Sequence, residues 1–211
     1  MEAKFFTVLV NLKGSEEEVF QSFTRHTRKS VRKGLREEAF VEESQDIKDF
    51  YKRYLAFYKK KKLTPINFQE MEKETIALFI CKHKNKIVGG LALNMNYSKE
   101  YPAAFLNFSD KDAWYCCPND LLYWAAIRWA KVEGYKFFDM GGCSLRPRKR
   151  EAGIVRFKRK WGQIFEYEQE VSKYYYIKRK LMNSCMLFYL INNILRNIRN
   201  KIKGVYNHGL D

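Results

Sequence analysis

The chain has 211 residues, of which 40 are Lys or Arg and 24 are Asp or Glu, so its formal net charge is +16. Hydrophobic residues make up 46% of the sequence and aromatic residues 16%, which is enough for a packed core and excludes a disordered chain. No stretch reaches the ~20 uninterrupted apolar residues that a membrane-spanning helix needs. The positive charge predicts a polyanionic partner, which would be RNA, a phosphate-bearing substrate or an anionic membrane surface.

The hydrophobic pattern predicts strands interspersed with helices. In chain order we predict a strand over 5–12, a helix from 15 to 23 that extends towards 36, a helix over 46–62, strands over 75–81, 86–95 and 103–108, a helix over 118–133, a strand over 136–140, a helix ending near 161, and a strand over 164–170. Ser15 and Glu18 form a capping box for the first helix, and residues 118–120 supply a cap for the 118–133 helix. This order predicts an α+β (mixed α/β) fold, with a central mixed sheet flanked by helices.

A boundary near residue 172 separates a single domain over 1–172 from a tail over 173–211. Within the tail, apolar residues recur at helical spacing and basic residues occupy many of the other positions. The pattern predicts a basic amphipathic helix, and three placements are open: docking on the domain, pairing in a homo-oligomer, or peripheral contact with an anionic membrane.

Cysteine and histidine usage predicts neither a disulfide framework nor a metal site. The five cysteines include no CxxC pair, which is typical of thiols in a cytosolic protein, and the three histidines lie far apart. The apolar run near the N-terminus is too short for a signal peptide. We therefore expect no metal, no cofactor, and a cytoplasmic location, with any membrane contact peripheral and at the inner face.

Three segments carry chemical information. The first is the basic segment 25–36, the second runs from 119 to a strand that ends in DMGG at 139–142, and the third is 153–162, which contains FKRKWG. In this order and spacing they resemble the Fem family, the aminoacyltransferases that build peptidoglycan interpeptide bridges, and the wider group of Fem-like acyltransferases. The resemblance extends from about Thr7 to Glu170 and implies the GNAT fold. Fem enzymes carry two GNAT-like modules, and this chain has the length of one and resembles the second.

Lys158 is the first predicted catalytic residue. Acyl transfer to an amine passes through an oxyanion, which needs a positive or hydrogen-bonding group aimed at it from a site that excludes water. Phe157 and Trp161 supply apolar surroundings for Lys158, and Arg156 and Arg159 flank it. The resemblance likewise implies that this lysine lies near the aminoacyl ester. The alternative is that 156–160 is a solvated basic helix face.

Asp139 is the second predicted catalytic residue, because it ends a strand just before two glycines. Functional groups in open sheets tend to lie beyond the carboxyl ends of strands, and Gly141 and Gly142 would let the backbone approach a ligand. Asp139 would orient the attacking amine or accept its proton; alternatively, it caps a turn or pairs with an arginine. Cys143 has no histidine near it in sequence, so we do not assign it as a nucleophile.

The remaining candidates would bind substrate. Arg25, Arg28 and Arg32, with Arg36, recur at helical spacing, and this stripe either binds phosphates or is a solvent-facing row of charges. The resemblance adds that these residues would hold tRNA or the pyrophosphate of a nucleotide- or lipid-linked substrate. The full set of candidate substrate-binding residues is Arg25, Arg28, Arg32, Tyr123, Gly141, Gly142, Arg156, Phe157 and Arg159.

The donor is predicted to be aminoacyl-tRNA. GNAT acetyltransferases hold the CoA pyrophosphate with a glycine-containing loop before the central helix. The corresponding segment 111–120 has no glycine, and Pro118 lacks one N–H donor. The sequence thus predicts an N-acyltransferase that moves an aminoacyl group to an amine of a phosphate-bearing cell-wall or surface-polysaccharide precursor. An acyl-CoA-dependent N-acetyltransferase and a non-catalytic RNA- or membrane-binding module are the alternatives.

Overall fold

A computed structural model of the chain describes residues 2–95, 100–144 and 152–170. Its strands are β1 (Glu2–Asn11), β2 (Phe40–Glu43), β3 (Ala77–His83), β4 (Lys86–Met95), β5 (Pro102–Ser109), β6 (Phe137–Asp139), β7 (Cys143–Ser144) and β8 (Gln163–Glu170). Its helices are α1 (Glu16–Ser22), α2 (Arg25–Arg36), α3 (Ile47–Lys60), α4 (Phe68–Glu74), α5 (Pro118–Val132) and α6 (Ala152–Arg159), with a 3-10 helix over Lys111–Cys116 before α5.

The strands form one mixed sheet. Its order is β2-β3-β4-β5-β6-β1-β7, and β8 also pairs with β1. The β2–β3, β3–β4, β4–β5 and β1–β6 pairs are antiparallel, whereas β5 and β6 are parallel. The register between β5 and β6 joins Ala103 to Asp139, so β6 ends beside the start of β5. The predicted fold class is confirmed.

Helices cover both faces of the sheet. Alternate residues of β3 belong to different core clusters: Phe79 packs in the cluster that contains the buried residues of α1, α2 and α5, and Ile80 packs in the cluster of α3 and α4. Because successive side chains of a strand point to opposite faces, the two clusters lie on opposite sides of the sheet. Gly34 of α2 lets that helix approach α5 closely, since a Cβ there would lie 2.7 Å from the side chain of Leu121.

The predicted helix from 15 towards 36 is two helices. The capping box of α1 is present as predicted, with Ser15 and Glu18 bonding reciprocally. The chain then turns extended at Phe23, and Thr24 caps α2 by accepting a hydrogen bond from the Thr27 N–H. The break has a tertiary cause, because the Phe23 ring is buried and packs edge-on against Trp161, with 5.0 Å between centroids.

Three short elements and one cap differ from the sequence prediction. The structure adds β2, α4 and β7, which have four, seven and two residues. Elements this short leave too few residues for a hydrophobic period to show. The predicted cap of α5 is wrong: the N-cap residue is Cys117, with a left-handed backbone (φ 51°) and no side-chain capping hydrogen bond, and Pro118 begins the helix.

The chain divides into two compact units, one over Phe6–Glu166 and one formed by Met1–Phe5 with Tyr167–Asp211. The first unit contains all six helices named above. In the second unit, the described residues are 2–5 and 167–170, which are the outer ends of β1 and β8. The predicted amphipathic tail helix lies outside the described residues. Within the described part of the chain, no helix is long and apolar enough to cross a membrane.

Candidate active site

Several elements meet at the end of β6. This strand ends at Asp139, and β7 starts four residues later at Cys143. Lys158 of α6 reaches the loop between them, because its Nζ donates a hydrogen bond to the carbonyl oxygen of Gly141 over 2.8 Å. We call this group the strand-end cluster, and its members are Tyr123, Asp139, Gly141, Cys143 and Lys158.

Lys158 is half-buried and its ammonium contacts the loop at several points. Besides the bond to Gly141, Nζ has a longer contact of 3.5 Å with the carbonyl oxygen of Gly142 and a hydrogen bond with the Cys143 side chain. Burial lowers the pKa of Lys158, and the nearby Cys143 and Asp139 act in the opposite direction. The ammonium is therefore held in place, and it gives up a proton more readily than an exposed lysine does.

Asp139 is tied to the loop and to β1. Its Oδ1 accepts hydrogen bonds from the backbone N–H of Gly141, over 2.7 Å, and from the hydroxyl of Thr7. Burial raises the pKa of Asp139, while the bonds from Thr7 and Gly141 and the charge of Lys158 lower it by less. The bond to Gly141 is the turn-capping contact that the sequence left open as an alternative. It leaves Oδ2 as the carboxylate oxygen that can act on a ligand.

Gly141 can be replaced by no other residue without strain. Its φ is +79°, in the left-handed region that side chains disfavour. A Cβ on Gly141 would also lie 2.6 Å from the carbonyl oxygen of Ala104 and 3.1 Å from Nζ of Lys158. The loop consequently fits between β5 and the lysine only because this residue has no side chain.

Aromatic rings form one wall of the strand-end cluster. Tyr123 of α5 is buried, and its ring meets the ring of Phe157 edge-on at 5.2 Å between centroids. Burial raises the pKa of Tyr123, and the charges of Cys143 and Asp139 add to the effect, so the phenol stays protonated and can donate. Trp161 lies behind both rings and is buried, with no hydrogen-bond partner for its Nε1 among the described residues.

The two arginines that flank Lys158 lie on the exposed surface of α6. Arg156 and Arg159 are both exposed, and the guanidinium of Arg159 lies over the Phe6 ring, 5.2 Å from its centroid. The structure therefore brings together Lys158, Asp139, Gly141, Gly142, Tyr123 and Phe157 from the predicted site. It does not bring Arg156 and Arg159 into contact with them.

The arginine stripe of α2 has mixed roles. Arg28 donates from Nη1 to the carbonyl oxygens of Gln21, over 2.8 Å, and of Phe23, so it holds the corner between α1 and α2. Arg32 is exposed, with its guanidinium 5.3 Å from the centroid of the Phe20 ring. Arg25 and Arg36 are exposed at the two ends of α2. A ligand can reach three of these guanidinium groups, and Arg28 is already engaged.

A buried ion pair near the start of α5 was not predicted. The ammonium of Lys160 bonds to Oδ1 of Asp120, and the two side chains are only 14% and 12% exposed. Burial raises the pKa of Asp120 by more than the Lys160 charge lowers it. The carbonyl oxygen of Lys160 also accepts from Thr24 N and Thr27 Oγ1, which joins α2 to the end of α6. The one signal for this pair in the sequence was the acidic residue Asp120 in the first turn of the predicted 118–133 helix.

The cluster provides the groups that acyl transfer needs: an oriented ammonium, a carboxylate with a raised pKa, a phenol donor and an apolar wall. Among the described residues, no group of three or more His, Cys, Asp or Glu side chains could hold a metal ion.

Known structures share this fold. The crystal structure of FemX has a TM-score of 0.63 and 16% identity, with 78% of this chain and 59% of that chain covered. The structure of L-PGS from Bacillus licheniformis has a TM-score of 0.56 and 16% identity, with 80% and 61% covered. The C-terminal domain of a protein described as a lysylphosphatidylglycerol synthetase, from Agrobacterium fabrum, has a TM-score of 0.57 and 17% identity, with 80% and 60% covered.

The chain spans about three fifths of the length of each of these structures. No protein-family model and no curated protein matches the sequence. At identities of 16–17% the likeness concerns the fold, and it agrees with the element order and the sheet described above. The chain has the fold that these structures share, and the Fem-like fold that the sequence predicts is confirmed.

Proposed function

We propose that this protein is an N-acyltransferase that transfers an aminoacyl group from aminoacyl-tRNA to an amine of a cell-wall or surface-polysaccharide precursor. The observation that carries the proposal is the 2.8 Å hydrogen bond from Lys158 Nζ to the Gly141 carbonyl, which holds a half-buried ammonium at the end of β6. The fold supports it, since one similar structure is named for a synthetase of lysylphosphatidylglycerol, a lipid that carries an aminoacyl group.

In the proposed reaction the acceptor nitrogen attacks the acyl carbonyl carbon, a C–N bond forms, and negative charge builds on the carbonyl oxygen. Lys158 stabilises that charge. Its contact with Gly142 is 3.5 Å long and hence weak, so one N–H can turn to the oxyanion at little cost while the bond to Gly141 is kept. Collapse of the intermediate breaks the ester C–O bond, and the ribose oxygen leaves as a hydroxyl by taking up the proton that the attacking nitrogen has lost.

The attacking nitrogen must also lose a proton. Asp139 is the acceptor in this proposal, because a carboxylate whose pKa is raised by burial is a better base than an exposed one. The bonds from Thr7 and Gly141 to Oδ1 fix the orientation of the carboxylate and leave Oδ2 to receive the proton.

The start of α5 favours tRNA over CoA as the donor. A helix N-terminus attracts phosphate when its N–H groups are open and no anion is already there. Here Pro118 lacks an N–H and the buried carboxylate of Asp120 lies in the first turn. This carboxylate and the Lys160 ammonium paired with it already occupy the turn, so the turn is less open to a pyrophosphate. A net charge of +16 suits a tRNA, since affinity for nucleic acid rests largely on phosphate neutralisation.

The acceptor would be a phosphate-bearing envelope precursor, with the exposed Arg25 and Arg32 as its phosphate contacts. The tail would bring the protein to the inner face of the membrane, where lipid-linked precursors are found, or join two copies of the chain. Both roles of the tail are part of the proposal.

The test is Lys158→Met, which keeps the side-chain volume and removes the charge. Lys48→Met is the matched control, because Lys48 is exposed on α3, on the other side of the sheet. Transfer from radiolabelled aminoacyl-tRNA to a lysine-bearing, nucleotide-linked peptidoglycan precursor should fall by about 10²–10³-fold in Lys158→Met, as expected for the loss of one oxyanion donor. Binding of tRNA on filters should be retained.

Unchanged turnover in Lys158→Met would remove this residue from the mechanism. Acetyl-CoA binding in the micromolar range, measured by isothermal titration calorimetry, would overturn the preference for tRNA. Tight tRNA binding without any transfer by the unmodified protein would favour a binding module instead of an enzyme.

A further inference from the structure

A groove lies between the C-terminal half of α3 and the strand ends of β4 and β5, away from the strand-end cluster. Its volume is about 220 Å³. Four basic residues line it, and they are Arg53, Lys60, Lys61 and Lys111. Its apolar lining consists of Ala56, Phe57, Ile87, Val88 and Phe108, and its remaining polar residues are Ser109 and Asp110.

The basic side chains of the groove outnumber its acidic ones, since Asp110 is the one acidic residue in its lining. Arg53 pairs with Asp49 one turn earlier in α3, over 2.7 Å. The lysines at 60, 61 and 111 have no acidic side chain within ion-pair distance in the part of the chain that the structure describes. Three exposed ammonium groups around one opening attract a polyvalent anion, and phosphate is the biological anion with the most acceptor oxygens.

An aromatic surface lies beside these charges. Phe57 is half-buried, and the ammonium of Lys61 lies 5.8 Å from the centroid of its ring. That face of the ring therefore meets a flexible, exposed side chain in place of core atoms. A planar base can displace the lysine and stack there, while the displaced ammonium turns to a phosphate.

We propose that this groove binds a nucleoside phosphate. The lysines would neutralise the phosphate, Phe57 would stack on the base, and the exposed carboxylate of Asp110 would accept from the ribose hydroxyls. At about 220 Å³ the groove is smaller than a whole nucleotide, so part of the ligand would lie outside the opening. Two sources share this chemistry: a nucleotide of an RNA other than the terminal one that carries the aminoacyl ester, and the nucleotide part of CoA.

The proposal stands apart from the reaction assigned to the strand-end cluster. Phe57 and Phe108 pack with α3 in one core cluster, whereas Tyr123 and Phe157 pack in the cluster on the other face of the sheet. Along β5, Ser109 is five residues beyond Ala104, which adjoins Gly141, so about 16 Å of strand separates the two places. A variant of Lys158 should therefore bind a nucleotide at the groove as the unmodified protein does.

The experiment measures binding of AMP by isothermal titration calorimetry to the full chain. The double variant K60Q/K61Q removes two charges that line the groove. The matched control K59Q/K62Q removes the same charge from the same run of lysines, at two positions that do not line the groove. We expect K60Q/K61Q to weaken AMP binding about tenfold and the control by less than twofold. Phe57→Leu should weaken it several-fold and leave the affinity for inorganic phosphate unchanged, and Lys158→Met should change neither.

Equal losses in K60Q/K61Q and K59Q/K62Q would overturn the proposal, because they would show attraction to a basic surface and no defined groove. Inorganic phosphate binding as tightly as AMP would also overturn it, as would no AMP binding at millimolar concentration. A CCA trinucleotide and CoA distinguish the sources: the one that binds more tightly than AMP, and loses that affinity in K60Q/K61Q, identifies the natural ligand class.

Discussion

Replacing Gly141 with Ala should destabilise the protein by an amount that the geometry sets. The alanine backbone would have to keep φ at +79°, which costs about 1–2 kcal/mol for a residue with a side chain. The new Cβ would also lie 2.6 Å from the Ala104 carbonyl oxygen, in a strand that pairs with β4 and cannot move freely. Overpacking of this kind costs about 1–3 kcal/mol. The expected loss of unfolding free energy is therefore about 2–5 kcal/mol.

Substitutions at two other glycines separate the cost of the backbone strain from the cost of the steric clash. Gly134 has φ +83° and nothing within 4 Å of its hypothetical Cβ, so Gly134→Ala carries the backbone strain without the clash. Gly153 lies in α6 and also has nothing within 4 Å, so Gly153→Ala should stabilise by about 0.5–1 kcal/mol through helix propensity.

Urea unfolding and thermal unfolding, both followed by tryptophan fluorescence, measure the stability of all three variants. For a chain of this size, 1 kcal/mol corresponds to about 2–4 °C in Tm. Gly141→Ala should therefore lower Tm by about 4–20 °C, and Gly134→Ala by about 2–8 °C. If Gly141→Ala is no more destabilising than Gly134→Ala, the loop is not wedged against β5 as described, and the fixed position of the Lys158 ammonium loses its support.

Three other predictions concern buried and engaged charges. Lys160→Met should lower the free energy of unfolding by about 3–5 kcal/mol, because it leaves the Asp120 carboxylate buried and unpaired. In urea unfolding, the double variant Lys160→Met with Asp120→Leu should recover most of that loss. A double variant as unstable as the single one would contradict this. Burial raises the pKa of Asp120, so the folded state binds its proton more tightly. The free energy of unfolding of the unmodified protein, relative to that of Asp120→Asn, should thus be highest at pH values below 3.8, the ordinary pKa of an aspartate, and should fall as the pH rises to the pKa of the folded state. A free-energy difference that stays constant between about pH 3 and 7 would refute this prediction. Arg28→Met should destabilise by about 1–3 kcal/mol because its donors hold the carbonyls at the α1–α2 corner, while Arg36→Met, at an exposed site, should change stability by less than about 0.5 kcal/mol; equal effects would show that the corner contacts contribute nothing.

The longer elements were predictable because apolar residues that become buried recur at regular intervals along them. The predicted helix over 46–62 is α3, from Ile47 to Lys60, and the predicted strand over 86–95 is β4 at the same limits. The break at Phe23 was not predictable from residues 15–36. It depends on the pocket that Trp124 and Trp161 provide from distant parts of the chain.

The candidate site also has one part that the sequence could predict and another that it could not. Asp139, Gly141 and Gly142 could be selected as a group because they follow a strand directly. Their partners could not, since Thr7 reaches Asp139 only through the register that pairs Leu9 with Asp139 across β1 and β6. The groove beside α3 also left no sequence signal, because its basic residues come from α3 with its C-cap and from the 3-10 helix, which are far apart along the chain.

The contacts of Lys160 have a consequence for the flexibility of its neighbour. Lys160 is tied through its carbonyl to Thr24 and Thr27 of α2 and through its ammonium to Asp120 of α5. Immobilising a lysine side chain costs up to about 2 kcal/mol in conformational entropy. Because α6 cannot rotate without breaking these bonds, Lys158 loses much of that conformational entropy when the chain folds, and little remains to be lost when a ligand arrives.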